Sequence, residues 1–359
     1  MKILFAVHDW GLGHATRDLV LIRALAADGH AVTVLSHGSA LRLLRSELGD
    51  RCSYVALRDI PKPISRRAFW FHARMALSLP LIFLTFRRER AFVQRLWERE
   101  RFDRIVSDSR FGVCLPQVPS YYITHSLRQI VPGRLRLLET LVEGTQRWLL
   151  AGGRGILVPD AETDGGLAGD LCHHTTCDWG RGRVHYLGLL SSLRRRGLPQ
   201  DVDCFVSVSG PEPQRSIFER TVLAQVRELE GRVVVALGRP GAPDATLEGG
   251  RITVHGYLDR ARQEEMMNRA RLVVSRSGYT TLMELAELGR RALLVPTPGQ
   301  TEQEYLARHH EQHGHLHGVA QHRLRLARDA ARARDYAGLP PMAPTERSVQ
   351  RFRDLVLAA

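Results

Sequence analysis

The stretch that decides the fold is "KILFAVHDWGLGHATRDLVLIRALAADGHAVTVLS", residues 2–36. An apolar run leads into a glycine-rich turn, and the next segment places Leu19, Ile22 and Leu25 at the three-residue spacing of a helix face. A second apolar run rich in β-branched residues follows. A strand, a helix and a strand in this order predict a βαβ unit, from which doubly wound parallel sheets are built.

The same alternation continues along the chain. Further strand-like runs are predicted at residues 52–57, 103–108, 120–124, 155–160, 203–210, 232–238, 251–256, 271–278 and 291–297. These runs are continuously apolar, which is typical of parallel strands covered by helices on both faces. A chain of 359 residues exceeds what one hydrophobic core usually holds. We therefore predict an α/β fold of two doubly wound, Rossmann-like domains facing across a cleft, with ligands at the carboxyl ends of the strands.

The predicted domains are residues 1–186 and 187–344, followed by a closing helix over 345–359. The composition, 44% hydrophobic and 25% charged, is that of a soluble globular protein. Five cysteines without a framework spacing favour reduced thiols, and the first apolar stretch lacks the marks of a signal peptide. The sequence thus predicts a cytoplasmic protein.

The formal net charge of +13 favours an anionic partner. Because no RNA-binding signature is present, we predict small phosphates or anionic lipid rather than nucleic acid. Residues 66–101 combine arginines with large apolar side chains, and the apolar run at 75–86 is too short to cross a bilayer. Two interpretations stay open: a helix pair packed on the sheet, or an interfacial element that contacts the inner face of the membrane.

The glycine turn does not match a dinucleotide fingerprint. Thr16 stands where the third glycine is needed, and the second strand ends in Ser36 and His37 rather than in an acid. The turn instead predicts close backbone approach to a polar ligand at a helix N-terminus, with His14 in the first turn. The helix dipole should lower the pKa of His14 and leave it neutral, as a general base requires. The alternative is a capping histidine without chemistry.

A second strand-to-helix turn contains Arg276, Ser277 and Gly278. Here Ser277 is predicted to cap the helix, while the amides of Tyr279 and Thr280 offer an anion site. Further along the same helix a carboxylate is placed to reach ribose hydroxyls, and the turn after the next strand presents an amide and a carboxylate to sugar hydroxyls. These three side chains are Glu284, Gln303 and Glu304.

At these motifs, "RSG", Glu284 and "PTPGQTEQ", the chain resembles GT-B glycosyltransferases. The group is that of the peptidoglycan lipid-linked N-acetylglucosaminyltransferases, with a glycosyltransferase family 28 C-terminal domain. The resemblance implies a metal-independent, inverting hexosyltransferase that uses a nucleoside diphosphate sugar, UDP-linked, and requires no other cofactor. It places the donor in the second domain and an acceptor, either lipid-linked or a small molecule, on the first.

Carried over position by position, the resemblance implies the following donor contacts: Ser209 and Gly210 at the diphosphate; Tyr257 and Leu258 at the nucleobase; Arg276, Ser277, Gly278, Tyr279 and Thr280 around the phosphates; Glu284 at the ribose; Gln303 and Glu304 at the sugar. In the first domain His14 is the candidate general base and Asp108 its rival. The candidate acceptor-side residues are Asp9, Trp10, Gly11, Gly13, Arg110, Thr124 and His125. For those that follow strands, ordinary strand-end caps are the alternative.

Two other functions stay open on the same fold. One is a nucleotide-sugar hydrolase or epimerase, and the other is a non-catalytic nucleotide-sugar-binding subunit. Two tracts, residues 172–177 and 309–317, are rich in histidine or cysteine. Neither tract supplies two complete, properly spaced ligand pairs, so no metal site is predicted.

Overall fold

The computed structural model describes residues 1–59, 79–131, 136–163, 165–180 and 182–358. They divide into two compact units. The described residues up to Ser192, together with those from Ala343 onward, form the first unit, and Leu193–Met342 form the second. The first unit thus includes residues 187–192 and the C-terminal segment, which the sequence analysis assigned to other parts of the chain.

The first unit is an α/β domain with an entirely parallel sheet among its described residues. Its strands are β1 (Lys2–Val7), β2 (Ala31–Ser36), β3 (Ser53–Ala56), β4 (Arg104–Asp108), β5 (Ser120–Ile123), β6 (Gly155–Val158) and β7 (Val184–Tyr186). Its helices begin with α1 (Leu12–Ala27), α2 (Gly38–Leu48), α3 (Leu79–Glu100) and α4 (Arg136–Leu149), with 3₁₀ turns at Gly49–Arg51 and Gly169–Leu171.

Strand β1 lies in the middle of this sheet, whose order is β3-β2-β1-β4-β5-β6-β7. Phe5 pairs with Val34 on one side and with Val106 on the other, and the strand has no exposed side chain beyond Lys2. The chain winds outward from β1 in one direction and from β4 in the other. The loops that follow these two strands therefore diverge and leave a crevice at the carboxyl edge, where ligands bind in open α/β sheets.

The second unit repeats this architecture. Its strands are β8 (Cys204–Ser207), β9 (Val233–Ala236), β10 (Ala245–Leu247), β11 (Ile252–His255), β12 (Leu272–Ser275), β13 (Arg291–Leu294) and β14 (His317–Gly318). Its helices are α5 (Gln214–Gln225), α6 (Arg260–Arg269), α7 (Tyr279–Leu288), α8 (Thr301–Gln312) and α9 (Leu326–Ala333), with 3₁₀ turns at Val226–Glu228, Glu248–Gly250 and Gln321–Arg323. The order is β10-β11-β9-β8-β12-β13-β14, and β10 alone among these described strands is antiparallel to its neighbour.

Branched aliphatic residues fill the core of the second unit, where Val206, Val235 and Val274 come from adjacent strands. Phe218 of α5 packs on the same cluster and has no exposed surface. Here β8 and β12 are neighbours from which the chain again winds in opposite directions. Each unit therefore has one switch point of this kind. One predicted glycine turn follows β1 at the first switch point, and the other follows β12 at the second.

The last helix, α10 (Thr345–Val356), belongs to the first unit. Phe352 and Val356 are fully buried, and the Arg353 guanidinium donates to both carboxylate oxygens of Asp28, at 2.6 and 2.7 Å. Arg104 Nε donates to the Val356 carbonyl at 3.1 Å. The chain therefore completes its first domain with its final residues.

Candidate functional site

The crevice after β1 and β4 contains a histidine–aspartate pair. Gly11 is the N-cap residue of α1, which places His14 in the first helical turn, as predicted. His14 Nδ1 lies 2.9 Å from Oδ2 of Asp108, the last residue of β4. Two groups lie against this nitrogen: the Asp108 carboxylate can accept a hydrogen bond from it, and Arg17 Nη2, 3.0 Å away, can donate one to it. In the tautomer that directs an Nδ1 proton at Asp108, His14 Nε2 carries the lone pair that can accept a proton.

Arg17, one turn further along α1, holds this pair in place. Its Nε donates to Asp108 Oδ2 at 3.0 Å, its Nη2 donates to Oδ1, and its Nη1 donates to Nδ1 of His125 at 2.8 Å. Ser109 Oγ adds a hydrogen bond to Asp108 Oδ1 at 2.9 Å. Arg17 was not predicted as a site residue, although an arginine three residues after His14 lies on the same face of the helix.

The environment separates the pKa values of the two groups. Burial lowers the pKa of His14 from 6.5 to about 4, against the opposing effect of the Asp108 charge and with a further lowering by the Arg17 charge. Burial alone would raise the pKa of Asp108, but Arg17 and His14 hold it well below its usual value. The predicted direction for His14 is therefore found, although burial leads among the causes rather than the helix dipole. Asp108 is an ionised, fully buried group that positions His14.

A second buried acid lies behind this pair. Asp18 has no exposed surface, and neither carboxylate oxygen makes a hydrogen bond in the structure. Burial, and then the Asp108 charge, raise the pKa of Asp18 well above its usual value. Asp18 therefore holds its proton more readily than Asp108 does, although Arg17 Nε lies 3.8 Å from its Oδ1. The burial of Asp18 was not predicted, because an aspartate next to an arginine usually marks a surface ion pair.

The remaining residues predicted on the acceptor side have different surroundings. Asp9 Oδ2 lies 3.3 Å from Nδ1 of His37, and the Trp10 ring lies 5.0 Å from the ring of His8. His8 in turn contacts the His14 ring edge-on at 5.0 Å and hydrogen-bonds to Asp59. The structure thus groups the residues that directly follow β1 near His14.

The glycines of the turn, Gly11 and Gly13, are exposed and half-buried respectively. Arg110, in contrast, is buried, where it pairs with Glu89 of α3 at 2.7 Å and donates to the Leu57 carbonyl at 3.2 Å. Thr124 is buried as well, and its Oγ1 accepts from the Ser126 amide at 3.1 Å. For Arg110 and Thr124 the strand-end structural role describes the geometry.

The crevice of the second unit collects the loops after β8, β12 and β13. Ser209 and Gly210 follow β8 and are exposed. Gly278 is the N-cap residue of α7 and receives no side-chain cap, so the predicted capping role of Ser277 is wrong. Ser277 is fully buried and donates from Oγ to the Gln303 carbonyl at 2.8 Å. The N-terminus of α7 presents partial positive charge at this edge of the sheet.

Arg276 supports the crevice from below. Its side chain is buried and donates to the carbonyls of Ser209 at 3.3 Å, Gln214 at 3.0 Å, Val295 at 3.1 Å and Pro296 at 3.2 Å, and to Gln321 Oε1 at 2.7 Å. Its guanidinium also lies over the Phe218 ring, 4.3 Å from the centroid. Burial lowers the pKa of Arg276 to about 10, which still leaves it charged at neutral pH. Arg276 ties the three loops together, so direct contact with phosphates, which we predicted, does not describe this side chain.

Comparisons with known proteins agree with this arrangement. The model of the glycosyltransferase family 28 C-terminal domain matches residues 216–334. Residues 216–334 are thus similar to a glycosyltransferase family 28 C-terminal domain, and they are called the family 28 domain below. A curated relative from Methylobacterium radiotolerans, "UDP-N-acetylglucosamine--N-acetylmuramyl-(pentapeptide) pyrophosphoryl-undecaprenol N-acetylglucosamine transferase", is 54% identical over 41 residues. That match spans 11% of this chain and 11% of the relative.

Solved structures are similar over nearly the whole chain. The glycosyltransferase of kitacinnamycin has a TM-score of 0.63 at 17% identity, over 99% of this chain and 94% of that one. MurG of Acinetobacter baumannii has a TM-score of 0.56 at 14% identity, over 99% of both chains. Glycosyltransferase VinC, solved in complex with dTDP, has a TM-score of 0.55 at 12% identity, over 99% and 94%. The predicted fold of two doubly wound α/β domains of GT-B type is confirmed, and family and fold together indicate a glycosyltransferase.

Within the family 28 domain, Glu284 lies on α7 and is almost fully buried. Its Oε1 pairs with Nη2 of Arg260, the first residue of α6. An arginine side chain therefore holds the Glu284 carboxylate in place. Arg260 was not predicted, because an arginine in "HGYLDRAR" carries no signal of its own.

The sugar-side residues of the family 28 domain lie in the first turn of α8. Gln303 Oε1 accepts from the Thr297 amide and Glu304 Oε1 accepts from the Gly299 amide, both at 2.9 Å. Each side chain therefore fixes the loop after β13 with one oxygen. Both side chains are half-buried, and each carries one further polar atom: the amide nitrogen of Gln303 and the second carboxylate oxygen of Glu304.

The predicted nucleobase contacts differ in exposure. Tyr257, after β11, is 47% exposed, and Leu258 is buried. Thr280 of the predicted phosphate turn is half-buried, whereas Tyr279 is buried. Of these four residues, Tyr257 is the most exposed.

The basic, apolar segment falls partly outside the described residues, since residues 66–78 are not among them. Its remainder forms α3, which exposes Leu81, Phe83 and Leu84. Helix α4 of the same unit exposes Leu137, at 89%, and Trp148, at 67%. No described helix combines the length and the hydropathy needed to cross a membrane.

Proposed function

We propose that the protein transfers a sugar from a nucleoside diphosphate sugar to an acceptor hydroxyl with inversion at the anomeric carbon. The observation that carries this proposal is the pair formed by His14 and Asp108, in a chain whose second unit is a family 28 donor domain. A neutral imidazole with its Nδ1 proton directed at a buried carboxylate is the arrangement of a general base.

In the proposed reaction the acceptor oxygen attacks the anomeric carbon, and its proton moves to His14 Nε2. The bond between the anomeric carbon and the diphosphate oxygen breaks, and the diphosphate leaves with the electron pair. Asp108 stabilises the imidazolium that forms, which offsets the unfavourable burial of that charge. Because attack and departure take place on opposite sides of the carbon, a single displacement inverts its configuration.

The negative charge that develops on the diphosphate is stabilised by the N-terminus of α7 and by the field of Arg276. The described hydrogen-bond partners of Arg276 are all carbonyl or amide oxygens, so no carboxylate neutralises its charge. An oriented helix and a buried cation can stabilise a leaving diphosphate in place of a metal ion. We therefore propose a metal-independent transfer.

We propose UDP as the nucleotide of the donor. The name of the relative from Methylobacterium radiotolerans specifies a UDP-linked donor, and VinC was solved with dTDP, another pyrimidine nucleotide. In this chain, the proposed contact to the ribose hydroxyls is Glu284, which Arg260 holds in place. Thermal-shift measurements with UDP, dTDP and GDP test this, since a ligand of the native state raises the melting temperature. A shift with GDP alone would contradict the proposal.

The transfer itself is tested with UDP-sugars and candidate acceptors, with UDP release and glycosylated product measured together. We expect UDP release to depend on the acceptor, and His14→Ala to lower kcat by about 10²–10⁴ without weakening UDP binding. Equal UDP release without any acceptor would identify a hydrolase. Unchanged function in cells carrying His14→Ala would identify a non-catalytic binding subunit.

We also propose that the first unit contacts the cytoplasmic face of an anionic membrane to reach a lipid-linked acceptor. Exposed Leu137 and Leu141 on α4 offer apolar area, and exposed Arg87 and Arg88 on α3 supply positive charge. Vesicles of phosphatidylglycerol should pellet the protein at low salt, and Leu137→Glu with Leu141→Glu should abolish this. Leu223→Glu, at an exposed leucine of the second unit, is the control that should still sediment. Failure of the wild-type protein to sediment would end this proposal and leave sugar transfer untouched.

A further inference from the structure

A buried cluster of three potential metal ligands lies at the carboxyl end of β6. Asp160 and Cys172 have no exposed surface, and the side chain of His173 is 10% exposed. Among the described residues, this is the only group of three or more histidine, cysteine, aspartate or glutamate side chains whose ligand atoms all lie within 4.8 Å of one another. Neither the proposed transfer nor the donor domain uses these side chains.

The distances in the cluster agree with tetrahedral zinc geometry. Cys172 Sγ lies 3.3 Å from Asp160 Oδ2, and His173 Nε2 lies 3.5 Å from the same oxygen. Zinc bonds are about 2.0–2.2 Å to oxygen, about 2.0–2.1 Å to nitrogen and about 2.3 Å to sulfur. At tetrahedral angles such bonds place neighbouring ligand atoms about 3.3–3.6 Å apart. The separations of the sulfur and of the imidazole nitrogen from Asp160 Oδ2 are therefore within the range of a tetrahedral zinc site, and the sulfur and the nitrogen lie within 4.8 Å of each other.

His173 gives a second, independent indication. Its Nε2 is buried and makes no hydrogen bond in the structure, although Asp160 Oδ2 lies nearby. A buried polar atom without a hydrogen bond costs about 1–3 kcal/mol, so such an atom calls for an explanation. A cation between this nitrogen, the carboxylate and the sulfur would satisfy it.

The surroundings hold the three ligands in orientation. Asp160 Oδ1 accepts from the amides of Ala161 and Leu167, both at 2.8 Å, and its Oδ2 accepts from the Ala168 amide at 2.9 Å. The Tyr186 ring stacks on His173 at 5.1 Å, and its hydroxyl donates to the Cys172 carbonyl at 2.7 Å. Metal ligands are typically fixed by outer partners of this kind.

We propose that Asp160, Cys172 and His173 bind one zinc ion, with water as the fourth ligand. On binding, the Cys172 thiol gives up the proton that it shares with Asp160, the sulfur–zinc bond forms, and one proton is released to solvent. A thiolate, an imidazole and a carboxylate together favour zinc over magnesium or calcium. The ion would fasten the loop between β6 and β7 to the end of β6. Asp160 lies outside residues 172–177, so the ligand spacing within that tract could not reveal the site.

Cobalt(II) titration of the metal-stripped, full-length protein tests the proposal, because a thiolate bound to tetrahedral cobalt gives a near-ultraviolet charge-transfer band and strong visible bands. We expect one equivalent to produce these bands and ZnCl₂ to displace them. Cys172→Ser should abolish the charge-transfer band. Cys177→Ser, at the half-exposed thiol of the same tract, is the matched control and should retain it.

A second variant keeps the test decisive if Cys172→Ser does not fold. His173→Gln retains the thiolate band and should weaken cobalt affinity by more than about tenfold, since loss even of an outer-shell partner costs about 10–100-fold. A double variant, His309→Ala with His313→Ala, removes imidazoles of the other histidine tract and should leave the bands unchanged. Absence of a thiolate band in the wild-type protein, or its loss in Cys177→Ser alone, would overturn the proposal.

Discussion

Acid should destabilise the first unit through His14, and the size of the effect follows from its pKa. In the unfolded chain this histidine titrates near 6.5, whereas burial lowers its pKa in the fold to about 4. Between these values the unfolded chain binds a proton that the folded chain does not. The stability that depends on His14 is therefore fully present above about pH 6.5 and is lost as the pH falls toward 4.

For a single group with these two pKa values, linkage predicts a loss of about 2 kcal/mol between about pH 7.5 and about pH 5. His14→Gln removes the titration while keeping a polar side chain of similar length. The variant should therefore lose about 2 kcal/mol less than the wild-type protein over the same pH range. Titrating groups that do not contact His14 contribute equally in both proteins, and Asp108, which does, keeps its hydrogen bond from Arg17 in the variant.

Urea unfolding followed by tryptophan fluorescence measures this difference in stability for the first unit. All five tryptophans of the chain precede residue 193, so the fluorescence transition reports on the first unit. An equal pH dependence in His14→Gln and in the wild-type protein would refute the account of His14 as a neutral, half-buried base. NMR titration of the histidines gives a second check. The resonance that is missing from the His14→Gln spectrum belongs to His14, and a pKa near 6.5 for it in the wild-type protein would also refute this account.

Three further substitutions test the site. Asp108→Asn should lower kcat by about 10²–10⁴ with little change in donor KM. Its control is Ser109→Ala, which removes one hydrogen bond to Asp108 and should change kcat by less than about tenfold. Similar losses in both variants would contradict a positioning role for the carboxylate. Arg276→Gln should destabilise the second unit by at least about 3 kcal/mol in circular dichroism melts, because several buried carbonyls lose their donor, and it should leave the tryptophan transition unchanged. Glu284→Gln should raise the Kd for UDP about tenfold, as expected for a hydrogen bond to a charged group. Glu265→Gln, at an exposed residue of α6, should leave the Kd unchanged. An unchanged Kd in both variants would contradict the proposed ribose contact.

The two-sheet fold could be predicted because its strands are buried on both faces. Every strand-like run identified from the sequence contains a strand, including those of β1, β4, β8 and β12, and the helix predicted after the turn at Arg276–Gly278 is α7. Strands β7, β10 and β14 were not predicted, because pieces of two or three residues at sheet edges carry too short a pattern. The membership of α10 in the first unit was also invisible, since an amphipathic helix does not specify which surface it covers.

Side-chain roles within the site divide differently. The position of His14 in the first turn after β1 follows from the glycine turn alone, because local backbone geometry decides it. The pairing of His14 with Asp108, and the clamp by Arg17, depend on β1 and β4 becoming neighbours across more than ninety residues, as their separation of 94 and 91 positions shows. Sequence patterns contain no information about that contact until the strand order is known.

The sequence by itself therefore determined the elements, the two domains and the chemical character of the turns, since these depend on local periodicity and on backbone conformation. Only the tertiary structure decided which polar groups are buried and with whom they pair. It assigned Arg276 to carbonyl oxygens rather than to phosphates, raised the pKa of Asp18 behind Asp108, and brought Asp160 to Cys172. Burial and long-range proximity set these charges and hydrogen bonds, and both arise only when the strands have assembled.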